Sequence, residues 1–312
     1  MAGHLLDESA RGVFIIAATP FADNGTLDLK SLERLIGFYI DAGVHGITLL
    51  GMMGEAQKLT YDEARLVIQA SLRQVAGEVP VVVGVSSPGL ATLAALTSDA
   101  MSLGAAAVMV APPSGLVTDE QVEGYVHQLC RAIGEDVPLV LQDYPQASGV
   151  HLSVAVLNRL IDDLPQIKVL KHEDCPGLGK LSRLRAGAAR DGRRRIAVLV
   201  GNGGLYYPLE LGRGADGAMT GFAYPEVLVE VYERFAAGRE EAAFDLYDAY
   251  LPLIRYEQQP GVGLAIRKEI LHRRGVLACP ALRPPGARLD AIDRAELDQL
   301  IARLERRVAG GV

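Results

Sequence analysis

Residues 167–171 read Ile167-Lys168-Val169-Leu170-Lys171, an apolar run closed by a lysine. Side chains alternate along a strand, so Val169 and Lys171 share a face while Lys168 takes the other. If that shared face looks into a barrel, Lys171 stands as an amine at the mouth of an apolar pocket. Burial disfavours the ammonium form and favours the neutral amine, which attacks ketones to form a Schiff base. A lysine that merely snorkels at a strand exit is the competing reading, and strand context leaves both open. The chain holds few lysines (Lys30, Lys58, Lys168, Lys171, Lys180 and Lys268), so one kept at a strand end stands out from surface filler.

Working outward, similar short apolar runs occur at Val13–Ala17, Gly46–Leu50, Val81–Val85, Ala106–Val110, Leu139–Gln142, Ile196–Val200 and Gly217–Thr220. They recur at roughly 30-residue intervals, the length of one βα unit. Between the first two, Leu32, Leu35, Ile36, Tyr39 and Ile40 form the stripe of an amphipathic helix. Before Leu66, Val67 and Ala70, Thr60-Tyr61-Asp62-Glu63 reads as a capping box. Continuously apolar, β-branched strands are those of a parallel sheet covered by helices. Eight such units predict an α/β fold, a (β/α)8 TIM barrel with additional C-terminal helices. A doubly wound sheet is the alternative, but no GxGxxG follows the first strand.

Residues 1–224 are expected to form the barrel, and 225–312 the last barrel helix with a C-terminal helical extension, as one domain or a subdomain. Helical patterns run over Val227–Phe235, Glu240–Tyr256, Leu264–Gly275 and Leu297–Val308, broken by Arg283-Pro284-Pro285.

The 312 residues are 49% hydrophobic and 22% charged, which suits a single large α/β domain. A net charge of -7 and a pI near 5.5 argue against nucleic acid or an anionic membrane as partner. Cys130, Cys175 and Cys279 lie far apart, without the spacing of a disulfide framework or a zinc site. No apolar stretch reaches the roughly 18 residues needed to span a bilayer, and the polar start does not read as a signal peptide. A soluble, cytoplasmic protein is expected.

Reactive residues of such barrels lie at the C-terminal ends of strands. Those ends read Thr19-Pro20-Phe21, Gly51-Met52-Met53-Gly54-Glu55, Pro112-Pro113-Ser114, Gln142-Asp143-Tyr144-Pro145, Lys171-His172-Glu173, Gly201-Asn202-Gly203-Gly204 and Thr220-Gly221. Glycines 51 and 54 allow a tight turn whose N–H groups converge on an anion, here a carboxylate presented beside Lys171. An ordinary glycine-rich turn is the plainer reading of that pentapeptide. Gly201-Asn202-Gly203-Gly204 and Thr220-Gly221 occupy the place where many barrels hold phosphate. Adjacent residues diverge at a strand end, so His172 and Glu173 are read as solvated or supporting loop residues, and Asp143 as a structural partner on the opposite face.

Taken together, Ala18-Thr19-Pro20-Phe21, Gly51 to Glu55 with Leu59-Thr60, Pro145 with Ser148-Gly149, Ile167 to Lys171, Gly214-Ala215-Asp216-Gly217, Lys268 with Gly275, and Arg283-Pro284-Pro285 resemble the dihydrodipicolinate synthase / N-acetylneuraminate lyase family. The resemblance covers nearly the whole chain. It implies a class I aldolase or lyase that holds a 2-keto acid, most often pyruvate, as an imine on Lys171 and joins it to an aldehyde or reverses that step. It also implies a homo-oligomer, a dimer or tetramer, working without metal or organic cofactor. Thr19, Gly51, Met52, Met53, Gly54, Glu55, Gly201 and Met219 are then the expected substrate-binding residues. Met219 is expected against the substrate or in the barrel core.

The chain departs from that family inside the site. Met52 and Met53 stand where the family usually carries hydroxyls, and Gln142 aligns with its proton-relaying tyrosine. The tyrosine that a neighbouring subunit commonly supplies falls near Pro113 or Ser114. Ala147 takes the place of the arginine that holds aspartate semialdehyde. Loss of a positioned acid/base costs a factor of about 10²–10⁴, so authentic dihydrodipicolinate synthesis is not expected. The second substrate is expected to be apolar or aromatic, and dehydration through the same imine is a further option. Tyr144, two residues beyond Gln142, is either a substitute relay or a tyrosine packed before Pro145. Gln142 is expected to bond a carbonyl rather than carry a proton. A keto-acid sensor or scaffold without its relay, and a phosphate-binding barrel enzyme, are the rival functions.

Overall fold

A computed structural model of the chain describes residues 5–310. Eight parallel strands close into a barrel in sequence order, with helices outside. They are β1 (Gly12–Ile16), β2 (Gly46–Leu49), β3 (Val81–Gly84), β4 (Ala107–Val110), β5 (Leu139–Asp143), β6 (Ile167–His172), β7 (Ala197–Val200) and β8 (Gly217–Thr220). The expected (β/α)8 TIM barrel with C-terminal helices is what the chain forms. The strands are buried on both sides, which is why they read as continuous apolar runs rather than alternating ones.

Two cores follow from the alternation of side chains. Phe14, Ile16, Val82, Met109, Val140, Val169, Leu199 and Met219 fill the barrel interior. Val13, Ile15, Val83, Val108, Leu141, Leu170 and Val198 face the helices. Val169 and Leu170 therefore part as the strand reading requires. The barrel floor is closed by Leu6, whose N–H donates to the Ala106 carbonyl, and by Lys168 and Arg194 converging on Glu8.

β5 and β6 run further than the sequence reading placed them. Asp143 pairs with His172 in register, one step beyond Gln142 with Lys171. That extra step carries polar residues, which hid it from a reading based on apolar runs. The helix Leu29–Asp41 is capped by the Asp28 carboxylate, and Thr60 with Glu63 forms the expected capping box before Tyr61–Val75.

After β8 come helices Pro225–Ala236, Glu240–Glu257, Gly263–Arg273 and Ala291–Ala309. The last begins six residues before its apolar stripe, at an Asp290–Asp293 capping box whose first turn is polar. Helix Gly263–Arg273 returns to the C-terminal mouth of the barrel and brings Arg267 and Lys268 to the strand ends. No helix among the described residues is long and apolar enough to cross a membrane.

Candidate active site

Register places Gln142 of β5 directly beside Lys171 of β6. Lys171 is 3% exposed and its Nζ lies 3.0 Å from Oε2 of Glu173. Gln142 Nε2 donates to that same Oε2 at 2.6 Å. The amine thus faces a carboxylate, not the purely apolar pocket that the sequence reading set around it. The expectation of a solvated or merely supporting Glu173 is corrected: it is 6% exposed and sits against the lysine. Its N–H donates to the Asp143 carbonyl, continuing the sheet pattern, so the side chain keeps the inward parity of Val169 and Lys171.

Space for Glu173 comes from Gly201. A Cβ at that position would stand 2.2–2.4 Å from the Glu173 side chain. The Asn202 N–H points at Glu173 Oε1 (3.4 Å) and Asn202 Nδ2 donates to the Glu173 carbonyl at 3.1 Å. This Gly-rich loop therefore wraps a carboxylate, which would repel a phosphate in the same place. Behind it, Glu210 is buried and its carboxyl is pushed up to about 8, by burial first and by the charge of Glu173 second.

His172 is buried rather than solvated and turns to the outer side, where it approaches Asp143 (3.4 Å) and the Gly177 carbonyl (3.1 Å). Lys180 donates to Asp143 at 2.6 Å, so Asp143 is the structural partner that its parity predicted.

The turn after β2 is a short 3-10 segment, Met52–Gly54. Leu50 and Glu55 on either side of it hold left-handed backbone, as does Asn202. Such conformations in non-glycine residues concentrate at functional sites. Neither the Met52 nor the Met53 N–H donates to another protein group among the described residues, so both are available to an anion. Gly51 and Met52 line one cavity, and Met52 and Met53 line a second one that contains Lys171.

Thr19, Glu55 and Met219 line neither cavity and make their contacts within the protein. Glu55 accepts from Lys268 (2.6 Å), Lys58 (2.8 Å) and the Arg283 N–H (3.1 Å), tying the turn to the C-terminal segment. Thr19 donates to the Gly54 carbonyl at 2.6 Å and braces the turn from behind. Met219 is fully buried in the barrel interior, the second of its two expected places.

Tyr144 follows the end of β5 and lines both cavities. Burial, then the charge of Glu173, raises its phenol above the ordinary value. The first cavity, about 310 Å³, extends from Gln142 past Ser86, Ser87 and Ser114 to Ala147, and no cationic side chain among the described residues lines it. The second, about 290 Å³, runs from Lys171 and Glu173 to Thr220 and Arg267.

Residues 9–304 match the model of the dihydrodipicolinate synthetase family. The chain belongs to that family. Among its relatives is an L-2-keto-3-deoxyarabonate dehydratase of Azospirillum brasilense, 34% identical over 95% of this chain and 94% of that one. Another is a 4-hydroxy-tetrahydrodipicolinate synthase of Methanosphaerula palustris, 29% identical over 93% and 98%. A dihydrodipicolinate synthase structure from Rhodopseudomonas palustris superposes with a TM-score of 0.94 at 47% identity, covering 96% of this chain and all of that one. Family membership makes the protein a lyase and accounts for the barrel of the dihydrodipicolinate synthetase family.

Two residues of the site escaped the sequence reading. The signal for Glu173 was present: it has the parity of Lys171 and needed only two more residues of strand. Arg267 had none, because it reaches the site from a helix 96 positions beyond Lys171.

Proposed function

We propose that the protein removes water from a 3-deoxy-2-keto acid through a Schiff base on Lys171, with Glu173 moving the proton. The observation that carries this is the carboxylate of Glu173 at 3.0 Å from Lys171 Nζ. The Lys171 amine adds to the C2 carbonyl, whose oxygen leaves as water, and the resulting iminium acidifies C3. Glu173, held by Gln142, takes a C3 proton to give the enamine. Collapse of the enamine expels the C4 hydroxyl, which leaves as water with the proton Glu173 carried. Hydrolysis of the imine frees the product and restores Lys171.

Elimination is favoured over carbon–carbon cleavage by what replaces the family tyrosine. Gln142 accepts no proton and spends its amide on Glu173, so the site offers Glu173 alone for proton transfer, and it is committed to the C3 proton in this mechanism. The relative named as a keto-deoxy-sugar-acid dehydratase supports the same class. Gln57, Ser86, Ser87 and Ser114 lie along the first cavity among a larger set of apolar residues, and they offer partners to substrate hydroxyls. Glu173 beside Lys171 weighs against the scaffold reading, which assumes a missing proton acceptor. Assembly as a dimer or tetramer and a cytoplasmic location are proposed with the family, and light scattering checks the former.

Incubation with 4,5-dihydroxy-2-oxopentanoate, followed by mass spectrometry, is the test. A product lighter by one water is expected. Pyruvate and glycolaldehyde as the sole products would replace dehydration with aldol cleavage.

A further inference from the structure

Arg267 has the largest of the fully buried side chains among the described residues. It leaves helix Gly263–Arg273, and its Nε donates to Oε2 of the equally buried Glu257 at 2.9 Å. Its Nη1 and Nη2 have no hydrogen-bond partner among the described residues. The guanidinium lies so close over Gly221 that a Cβ there would stand 2.0 Å from Nη1. Glycine at the end of β8 is thus what admits the arginine to the barrel mouth. Arg267 and Lys171 are the two cationic side chains lining the 290 Å³ cavity.

Buried charged donors left without acceptors are strongly unfavourable, and a guanidinium edge matches a carboxylate in two parallel hydrogen bonds. The C1 carboxylate of a keto acid already has donors in the free N–H groups of Met52 and Met53. We infer that Arg267 receives a second carboxylate, at the far end of the substrate chain, so that the keto acid is an acid at both ends. This deepens the Schiff-base reading and rests on it for the position of C2. Glu257 occupies only Nε, leaving the outer edge of the fork for the ligand.

Two keto acids of equal length separate the possibilities: 2-oxoglutarate, which ends in a carboxylate, and 2-oxovalerate, which ends in a methyl. Each is titrated with borohydride trapping on the wild type and on Arg267→Lys, which keeps a charge beside Glu257 but lacks the fork. In the wild type 2-oxoglutarate is expected to half-saturate at a concentration roughly 10- to 100-fold below 2-oxovalerate. In Arg267→Lys that preference should shrink to a few-fold, with pyruvate trapping unchanged. Equal titration of the two acids by the wild type overturns the inference. So does a parallel loss of pyruvate trapping in the variant, which would place the C1 carboxylate on Arg267. If no keto acid is trapped, the Schiff-base reading fails, and thermal stabilisation decides the arginine's role by itself. Glutarate should then raise the melting temperature of the wild type more than valerate does, and not that of Arg267→Lys; equal effects of the two would remove the site.

Discussion

Oε2 of Glu173 takes a hydrogen bond from Gln142 at 2.6 Å and stands 3.0 Å from Lys171 Nζ, so one carboxylate oxygen joins neighbouring strands across the barrel mouth. In the proposed mechanism Gln142 moves no proton and orients Glu173, which does.

Reduction with borohydride in the presence of pyruvate should add one adduct, mapped to Lys171. Lys171→Ala should abolish it. Lys168→Ala should not, because that amine pairs with Glu8 at 2.9 Å on the barrel floor, away from the cavities. An adduct that survives Lys171→Ala would remove the lysine from the chemistry.

Exchange of the pyruvate methyl protons in deuterated water, followed by NMR, separates Glu173 from Tyr144. Glu173→Gln should keep the trapped imine yet slow exchange by about 10²–10⁴-fold. Tyr144→Phe should change exchange little, since in the proposed mechanism Glu173, held against Lys171 by Gln142, moves the proton. The reverse ranking would restore the tyrosine as the relay.

The barrel was readable because its strands carry a continuous apolar signal and its helices a striped one. The lysine was readable because it closes such a run. What lay hidden was polar: the last step of β5 and β6, from Gln142 and Lys171 to Asp143 and His172, has no apolar mark to extend the strands. Parity beyond Lys171 would have brought Glu173 inward. Glu55 was misplaced for a different reason. Its left-handed backbone turns the carboxylate toward Lys268, Lys58 and Arg283, and two of those partners lie more than 200 residues away.

Turnover with pyruvate and aspartate semialdehyde should be negligible in a coupled reductase assay. The semialdehyde's own carboxylate would enter a cavity where Ala147 stands and no cationic side chain is found among the described residues. Rapid formation of the cyclic product would reinstate the synthase activity.

Gly201→Ala probes the seat of Glu173 while leaving the chemical identity of Lys171 and Glu173 unchanged. Its backbone has negative φ, so the alanine meets no left-handed strain, only the Glu173 side chain at 2.2–2.4 Å. Overpacking of this kind costs about 1–3 kcal/mol, and the carboxylate must move. Proton exchange should fall in Gly201→Ala, while the same change made in Glu173→Gln should add little further loss. Full additivity of the two would mean that the glycine acts elsewhere.

Glu210 gives the protein a distinctive dependence of stability on pH. Its carboxyl is pushed up to about 8 from 4.5, by burial and then by Glu173, and its Oε2 has no partner. Between those values the folded chain holds a proton that the unfolded chain has released. Stability therefore falls as pH rises across this window: the contribution is complete below about pH 4.5 and gone above about pH 8. Glu210→Gln keeps the shape and removes the titration. Urea melts at about pH 5.5 and about pH 8.5 should show the variant gaining on the wild type at the higher pH, by up to a few kcal/mol at ~1.4 kcal/mol per pKa unit. The gain should shrink in a Glu173→Gln background, because the second cause of the shift is then removed. A difference between wild type and variant that stays constant across the window would mean that Glu210 is already ionised in the folded protein, and that its charge has a partner.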